Sequence, residues 1–147
     1  MISIKSTAFI NGGHVPDQYG CNGANVNPPL NFYDLPAGTK SLALIVFDPD
    51  SPSGHFTHWL LIDIDPSVHT IEENSTPYGA ARGMNDFGEE AYGGPCPSFG
   101  THHYHFTLYA LDQKLHLPSG TKKTKLDEAM KDHILGQAEF VGTYIKK

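Results

Sequence analysis

Three short runs of apolar and β-favouring residues constrain the fold of this chain more than any other feature. They are SLALIVF at residues 41–47, HWLLIDI at 58–64 and HYHFTLYAL at 103–111. Turn-forming residues flank these runs, and each run is shorter than a typical helix. The third also carries the aromatic side chains that strands favour. The pattern therefore predicts three strands, of which the first is central and buried.

The rest of the chain predicts further strands and long loops. Shorter strands are expected at SIKSTAF near the beginning and at EFVGTYI near the end. Residues 65–101 are rich in Gly, Pro, Asn and Ser and predict loops, which often carry function when they are long. We predict one mostly β domain over residues 1–147, with a C-terminal helix and few other short helices.

The helix is predicted in TKLDEAMKDHILG, where apolar side chains recur every three or four residues. Thr124 is the predicted N-cap and Gly136 the predicted end. On this pattern Leu126 and Ile134 face the core. His133 falls on the same apolar face and is expected to be a buried core histidine.

The charge and hydropathy of the chain argue against several classes of partner. It has 16 acidic and 10 basic residues and a formal net charge of −6 at pH 7. A nucleic-acid-binding protein needs a basic surface, so no nucleic-acid partner is expected. No segment approaches the roughly 20 apolar residues of a membrane span, and the first residues lack the apolar core of a signal peptide. The expected location is the cytoplasm.

Two cysteines, Cys21 and Cys96, lie in turn-rich segments. In a reducing cytosol two free thiols are the simpler expectation, although the sequence leaves a bridge between them open. A nucleophilic Cys96 acting with His102 would need an orienting third group and an oxyanion hole. No catalytic residue is predicted.

Polar side chains gather at the ends of the predicted strands. Asp48 and Asp50 follow the first strand and, in an extended chain, point to the same side. His102 and Tyr104 form a similar pair at the start of the third strand. The apolar residues that share a face with Tyr104 indicate that this face looks inward.

His58 opens the second strand, where the same alternation places it with Leu60 and Ile62. Four interpretations of the resulting Asp/His group stay open on the residues alone. It could hold a metal ion, for hydrolytic or oxygen chemistry. It could form an anion pocket, provided that the carboxylates pair with the imidazoles and do not repel the ligand. It could include a Cys–His nucleophile, or form a hydrogen-bonded network without a ligand.

Two stretches of this sequence resemble the signature regions of the phosphatidylethanolamine-binding proteins, also called Raf kinase inhibitor proteins. They are LIVFDPDSPSGHFTHWLLIDI and NDFGEEAYGGPCPSFGTHHYHFTLYALD. The similarity is closest to the bacterial and archaeal branch of the family. The segments YGCNGANVNPPLNF and HILGQAEFVGTYIKK extend the resemblance over nearly the whole chain.

The resemblance implies a β-sandwich of two antiparallel sheets with a small cavity that binds phosphate or phosphorylated head groups such as phosphatidylethanolamine. It implies a non-enzymatic protein without a cofactor or bound metal, a monomer or homodimer that regulates a kinase or a protease. A metal-dependent enzyme that uses the Asp/His group is the alternative. The implied ligand-binding residues are Asp48, Asp50, His58, Gly94, Pro95, His102 and Tyr104, with Pro52 and Pro97 at the rim.

The chain departs from the family pattern at two positions. His103 stands where the family usually has arginine, so a permanent charge and a bidentate donor are missing. Ser98 follows Pro97 where a second proline is usual. The first change affects an ion pair at the rim and the choice of partner more than it affects the pocket itself.

Overall fold

The computed structural model describes residues 1–147, which form eight strands and two short helices. The strands are β1 (Ser3–Lys5), β2 (Leu30–Tyr33), β3 (Ser41–Ser51), β4 (Gly54–Ile64), β5 (Thr70–Ile71), β6 (Ala81–Arg82), β7 (Thr101–Leu111) and β8 (Ile134–Ile145). The helices are a single 3-10 turn at Asp17–Tyr19 and α1 (Lys123–Met130). The strands form a five-stranded sheet in the order β6-β4-β3-β7-β8 and a three-stranded sheet in the order β1-β2-β5. All neighbouring strands within each sheet are antiparallel.

The main core lies between the two sheets. Leu44 and Phe106 of the larger sheet belong to the same buried cluster as Leu30 and Phe32 of the smaller sheet. The other face of the larger sheet is covered by α1, which buries Leu126 and Met130 in a second cluster. The predicted two-sheet β architecture is therefore confirmed, and so are the three strands predicted at residues 41–47, 58–64 and 103–111.

The hairpin between β3 and β4 is longer than the sequence indicates. The predicted strand ends at Phe47, but β3 continues to Ser51. Ser51 pairs with Gly54, so the loop contains only Pro52 and Ser53. Gly54 has a φ of 95°, a conformation that glycine adopts without steric cost. The consequence is that Asp48 and its neighbours lie within paired strands and are held rigidly.

The predicted helix is correct in its first half and wrong in its second. α1 has Lys122, not Thr124, at its N-cap and ends at Met130. Asp132 takes a φ of 68°, a left-handed conformation that aspartate tolerates, and this turns the chain away from the helix axis. His133 is therefore not a core residue. Its side chain is 33% exposed, and its Nδ1 lies 2.9 Å from Oδ1 of Asp112.

Ile134 and Gly136, predicted to lie in the helix and at its end, belong instead to β8. One long edge of β8 is partly covered by the segment 11–15. The N–H of Gly12 donates to the carbonyl of Val141 at 2.7 Å, and the N–H of Val15 donates to the carbonyl of Thr143 at 2.8 Å.

A disulfide joins Cys21 to Cys96, with 5.4 Å between their Cα atoms. The expectation of two free thiols is therefore wrong. The bond ties the segment after the 3-10 turn to the loop before β7. None of the helices is long and apolar enough to cross a membrane.

Candidate functional site

A cavity of about 160 Å³ lies where the ends of β3, β4 and β7 meet the loop that precedes β7. It brings together Asp48, His58, His102 and Tyr104, four of the residues expected in the pocket. Pro52 and Pro97, the two predicted rim residues, also line it. The complete wall consists of Asp48, Ser51, Pro52, Phe56, His58, Phe87, Cys96, Pro97, Ser98, His102 and Tyr104.

His58 reaches this cavity because β4 contains a β-bulge. Val46 pairs with Trp59 and the next residue, Phe47, pairs with Thr57, so His58 is an extra residue in β4. A bulge interrupts the alternation of side chains and re-aims the residue that it adds. The predicted grouping of His58 with Leu60 and Ile62 is therefore wrong. Those two residues pack beneath α1, whereas His58 lines the cavity on the other face of the sheet.

Asp48 and His102 form a buried pair in the cavity wall. Their side chains are only 5% and 4% exposed, and Nδ1 of His102 lies 2.6 Å from Oδ2 of Asp48. The backbone N–H of Asp50 donates to the other oxygen, Oδ1, at 2.8 Å. Both carboxylate oxygens of Asp48 therefore have a donor, and the His102 proton is held on Nδ1.

The other ring nitrogen of His102, Nε2, is buried and has no hydrogen-bond partner. Most buried polar atoms in proteins are paired, so such an atom in a cavity wall indicates a position where a ligand or water atom binds. Phe99 packs edge-on against the ring, with 5.5 Å between the centroids. This contact holds the imidazole plane in place.

His58 is held by the loop that follows β6. Its Nδ1 lies 2.7 Å from the carbonyl oxygen of Gly93, and because a carbonyl can only accept, Nδ1 carries the proton. Burial lowers the pKa of His58, so the neutral ring is favoured. Its Nε2 is then an acceptor until the ring takes up a second proton.

Tyr104 packs edge-on against His58, with 5.1 Å between ring centroids. Burial, and after it the nearby carboxylates of Asp48 and Asp50, raises the pKa of Tyr104. The phenol therefore keeps its proton at neutral pH and remains a hydrogen-bond donor.

Asp50, in contrast, does not line the cavity. Between Asp48 and Ser51 the strand β3 contains one extra residue relative to β4, so Asp50 no longer shares a side with Asp48. Its Oδ2 accepts from the backbone N–H of His103 at 2.8 Å and lies 2.7 Å from Nδ1 of the same residue. The hydrogen bond from the His103 ring holds the pKa of Asp50 below its usual value. An outer pair therefore forms although histidine replaces the arginine of the family pattern.

Gly94 and Pro95 also lie outside the cavity wall. The N–H of Gly94 donates to Oδ1 of Asn25 at 2.8 Å, so this amide is not available to a ligand. A Cβ at position 94 would collide with the carbonyl oxygen of Tyr19. The Pro95 carbonyl accepts from Cys21 at 3.0 Å. Both residues therefore shape the loop from behind.

The sequence analysis did not identify the apolar part of the wall. Phe56 and Phe87 pack edge-on at 4.8 Å, and each also contacts the His58 ring. Phe56 lies two residues before His58 in a strand, so the sequence could have predicted that both side chains lie on the same side. Phe87 comes from a loop, and nothing in its local sequence indicates its position.

Two chemical alternatives find no support in this geometry. Among residues 1–147 no group of three or more His, Cys, Asp or Glu side chains is arranged to hold a metal ion. Asp48 and His102 bond to each other, and Asp50 faces away. Cys96 is in a disulfide and offers no thiolate for nucleophilic attack.

Comparison with known proteins gives a consistent result. The family model described as "Phosphatidylethanolamine-binding protein" matches residues 5–145. The UPF0098 protein of Methanothermobacter thermautotrophicus is 44% identical over 148 residues, which covers 97% of this chain and 98% of the relative. LppC of Mycobacterium tuberculosis, which carries the name of a lipoprotein, is 41% identical over 97% of this chain and 72% of its own length.

Two solved structures are similar throughout. The crystal structure of a phosphatidylethanolamine-binding protein homologue from Chlamydia trachomatis has a TM-score of 0.95 and 40% identity, covering 99% of this chain and 98% of that one. Escherichia coli YbcL, described as a member of the mammalian PEBP family, has a TM-score of 0.93 and 29% identity, with 99% of each chain covered.

Proposed function

Because this chain belongs to the phosphatidylethanolamine-binding protein family, we propose that it is a non-enzymatic binding protein whose cavity takes phosphate or a phosphorylated head group. The observation that carries the proposal is Nε2 of His102, which is buried in the cavity wall without a partner. Leaving a buried polar atom unpaired costs about 1–3 kcal/mol. Nε2 of the neutral ring is an acceptor, so a protonated ligand oxygen that donates to it removes this cost.

The electrostatics of the cavity meet the condition for anion binding. An unpaired carboxylate would repel an anion, but Asp48 accepts hydrogen bonds on both of its oxygens. The Tyr104 hydroxyl supplies a neutral donor. When His102 or His58 takes up a proton, its Nε2 becomes a charged donor, and hydrogen bonds to charged groups are roughly twice as strong as neutral ones.

The cavity is large enough for a phosphorylated head group but not for a whole phospholipid. At about 160 Å³ it is smaller than the pockets of about 300–1,000 Å³ that hold drug-sized molecules. The acyl chains of a phospholipid would have to remain outside. Free phosphate and phosphoethanolamine are therefore the appropriate probes.

Two-dimensional NMR titrations at pH 6 and pH 8 test this function. Phosphate, phosphoethanolamine and sulfate are added separately, and sulfate serves as the anion whose charge does not change between these pH values. We expect shifts centred on Asp48, His58, His102 and Tyr104. Burial lowers the pKa of His58, so an anion that requires protonation of this ring should bind more weakly at pH 8 than at pH 6.

His102→Gln tests the assignment, and His103→Gln is its matched control on the outer face. The first variant should lose at least about tenfold in phosphate affinity, and the second should bind like the unaltered protein. Equal affinity in both variants, with both folded, would refute a role of His102 as anion ligand. A response to none of the three anions at either pH would refute the proposed function.

A further inference from the structure

A second cavity, of about 350 Å³, shares the loop 91–98 with the first. Ala91 and Tyr92 line the second cavity, whereas Cys96 and Pro97 line the first. The volume falls within the range of about 300–1,000 Å³ that is typical of small-molecule sites. The family comparison and the proposed function do not account for this cavity.

Arg82 is the only charged residue in the wall of the second cavity and the only arginine in the chain. None of the ion pairs in the structure involves it. No Asp or Glu lines the cavity, although the chain has 16 acidic residues. An unpaired guanidinium presents a planar fork of donors that matches a carboxylate or a phosphate.

The polar part of the cavity wall is built on a buried asparagine. Asn27 is 5% exposed, and its Nδ2 donates to the carbonyl of Glu72 at 3.0 Å. Its Oδ1 accepts from the N–H of Ser75 at 2.9 Å, and its carbonyl accepts from the N–H of Asn74 at 3.0 Å. These bonds fix the residues 74–76 while leaving the side chains of Asn74, Ser75 and Thr76 in the wall.

Two aromatic side chains complete the cavity. Trp59, which is 1% exposed, and Tyr92 lie perpendicular to each other with 5.4 Å between ring centroids. The Tyr92 hydroxyl donates to the carbonyl of Tyr19 at 2.8 Å, so its ring is fixed. The cavity thus combines one cation, amide and hydroxyl groups, and a rigid aromatic surface, which is the composition of a site for a small polar molecule.

We propose that this cavity binds a small organic anion with a hydroxylated body. Arg82 holds its carboxylate or phosphate, and Asn74, Ser75 and Thr76 hydrogen-bond to its hydroxyl groups. The carbon skeleton lies against Tyr92, whose ring packs on the buried Trp59. The site is separate from the proposed phosphate pocket, because none of these residues lines that pocket.

The chain contains a single tryptophan, which makes the test specific for this cavity. The indole N–H of Trp59 gives one resonance in a ¹⁵N spectrum. We would follow it during titration with glycerol 3-phosphate, glycerate and uncharged glycerol. Either anion should shift the indole resonance and the amides of Asn74 and Ser75 with saturation, and glycerol should not. The stronger of the two anions identifies phosphate or carboxylate as the preferred group.

Arg82→Gln removes the cation, and Lys40→Gln is its control, an equal change of charge at an exposed residue that lines neither cavity. The affinity for glycerol 3-phosphate and for glycerate should fall at least about tenfold in Arg82→Gln and stay unchanged in Lys40→Gln. Arg82→Lys, which keeps the charge but loses the fork, should fall between them. An indole resonance that responds to neither anion, or responds equally in Arg82→Gln, would overturn the proposal. His102→Gln should leave the indole response intact, which separates this test from that of the phosphate pocket.

Discussion

Replacing Asp48 by asparagine tests the central pair of the first cavity with the smallest change of shape. In the unaltered protein the backbone N–H of Asp50 donates to Oδ1 of Asp48 at 2.8 Å. The asparagine oxygen can still accept this hydrogen bond. The amide NH₂ then faces Nδ1 of His102, where the carboxylate oxygen lay at 2.6 Å. Two donors oppose each other unless the His102 proton moves to Nε2. In either case the charge-assisted hydrogen bond is lost.

The size of the loss follows from burial. Both side chains are at most 5% exposed, so solvent screens the interaction little. Hydrogen bonds to charged groups contribute about 1.5–3 kcal/mol, and we expect Asp48→Asn to lower the free energy of unfolding by that amount. For a chain of 147 residues this corresponds to a decrease in Tm of roughly 3–12 °C. Phosphate should also bind more weakly at pH 6, because the imidazole is no longer oriented by a carboxylate.

Urea denaturation and calorimetry measure the change in stability, and the NMR titration measures the affinity. Asp50→Asn is the matched control, because Asp50 forms the same kind of pair with His103 but its side chain is 41% exposed. Exposed pairs contribute at most about 1 kcal/mol, so the control should be nearly neutral. Equal stability losses in the two variants would contradict the argument from burial. Tighter phosphate binding in Asp48→Asn would show that the carboxylate repels the anion and does not orient the histidine.

Two further predictions concern pH and the disulfide. Burial lowers the pKa of His58 from its ordinary 6.5, so between the folded-state pKa and about pH 6.5 the unfolded chain binds more protons. The free energy of unfolding should then fall with decreasing pH in this window, by at most about 1.4 kcal/mol per pH unit from this residue. In urea denaturation, the stability of His58→Gln should depend less on pH in this window. An identical pH dependence in the variant and the unaltered protein would contradict the contribution of His58. Cys21→Ser opens a bridge between residues 75 positions apart and should cost about 2–4 kcal/mol of stability. It should also weaken phosphate binding, because Cys96 lines the cavity. Unchanged affinity in the folded variant would show that the loop keeps its shape without the bond.

The sequence predicts the fold well where a local pattern and the tertiary structure agree. The apolar runs of β3, β4 and β7 are buried in their sheet, so the burial predicted from the apolar pattern agrees with the structure. The helix prediction is wrong after Met130 because Asp132 adopts a left-handed conformation, which the apolar spacing does not encode. The apolar residues that follow, Ile134 among them, then pass into an edge strand where they are partly exposed.

Four polar residues of the candidate site, Asp48, His58, His102 and Tyr104, could be predicted from the sequence, but its apolar wall and its geometry could not. Alternation along an extended chain places Asp48 with Asp50 and His58 with Leu60 and Ile62. Two irregularities in the β3–β4 pairing reverse both relations. Bulges depend on the register between strands, which no single segment specifies. The disulfide could not be predicted for a similar reason, because loops with little periodicity bring its two cysteines together.

The pairing of the segment 11–15 with β8 also has a consequence for how the chain folds as it is synthesised. β8 is the last of the eight strands in chain order, yet it pairs with one side of β7 and provides the partner for the segment 11–15. Contacts between such distant parts of a sequence form slowly, because a long loop must close first. The larger sheet therefore cannot be completed on the ribosome before Ile145 emerges. A nascent chain stalled earlier would expose the unpaired edge of β7, and unpaired strand edges promote aggregation.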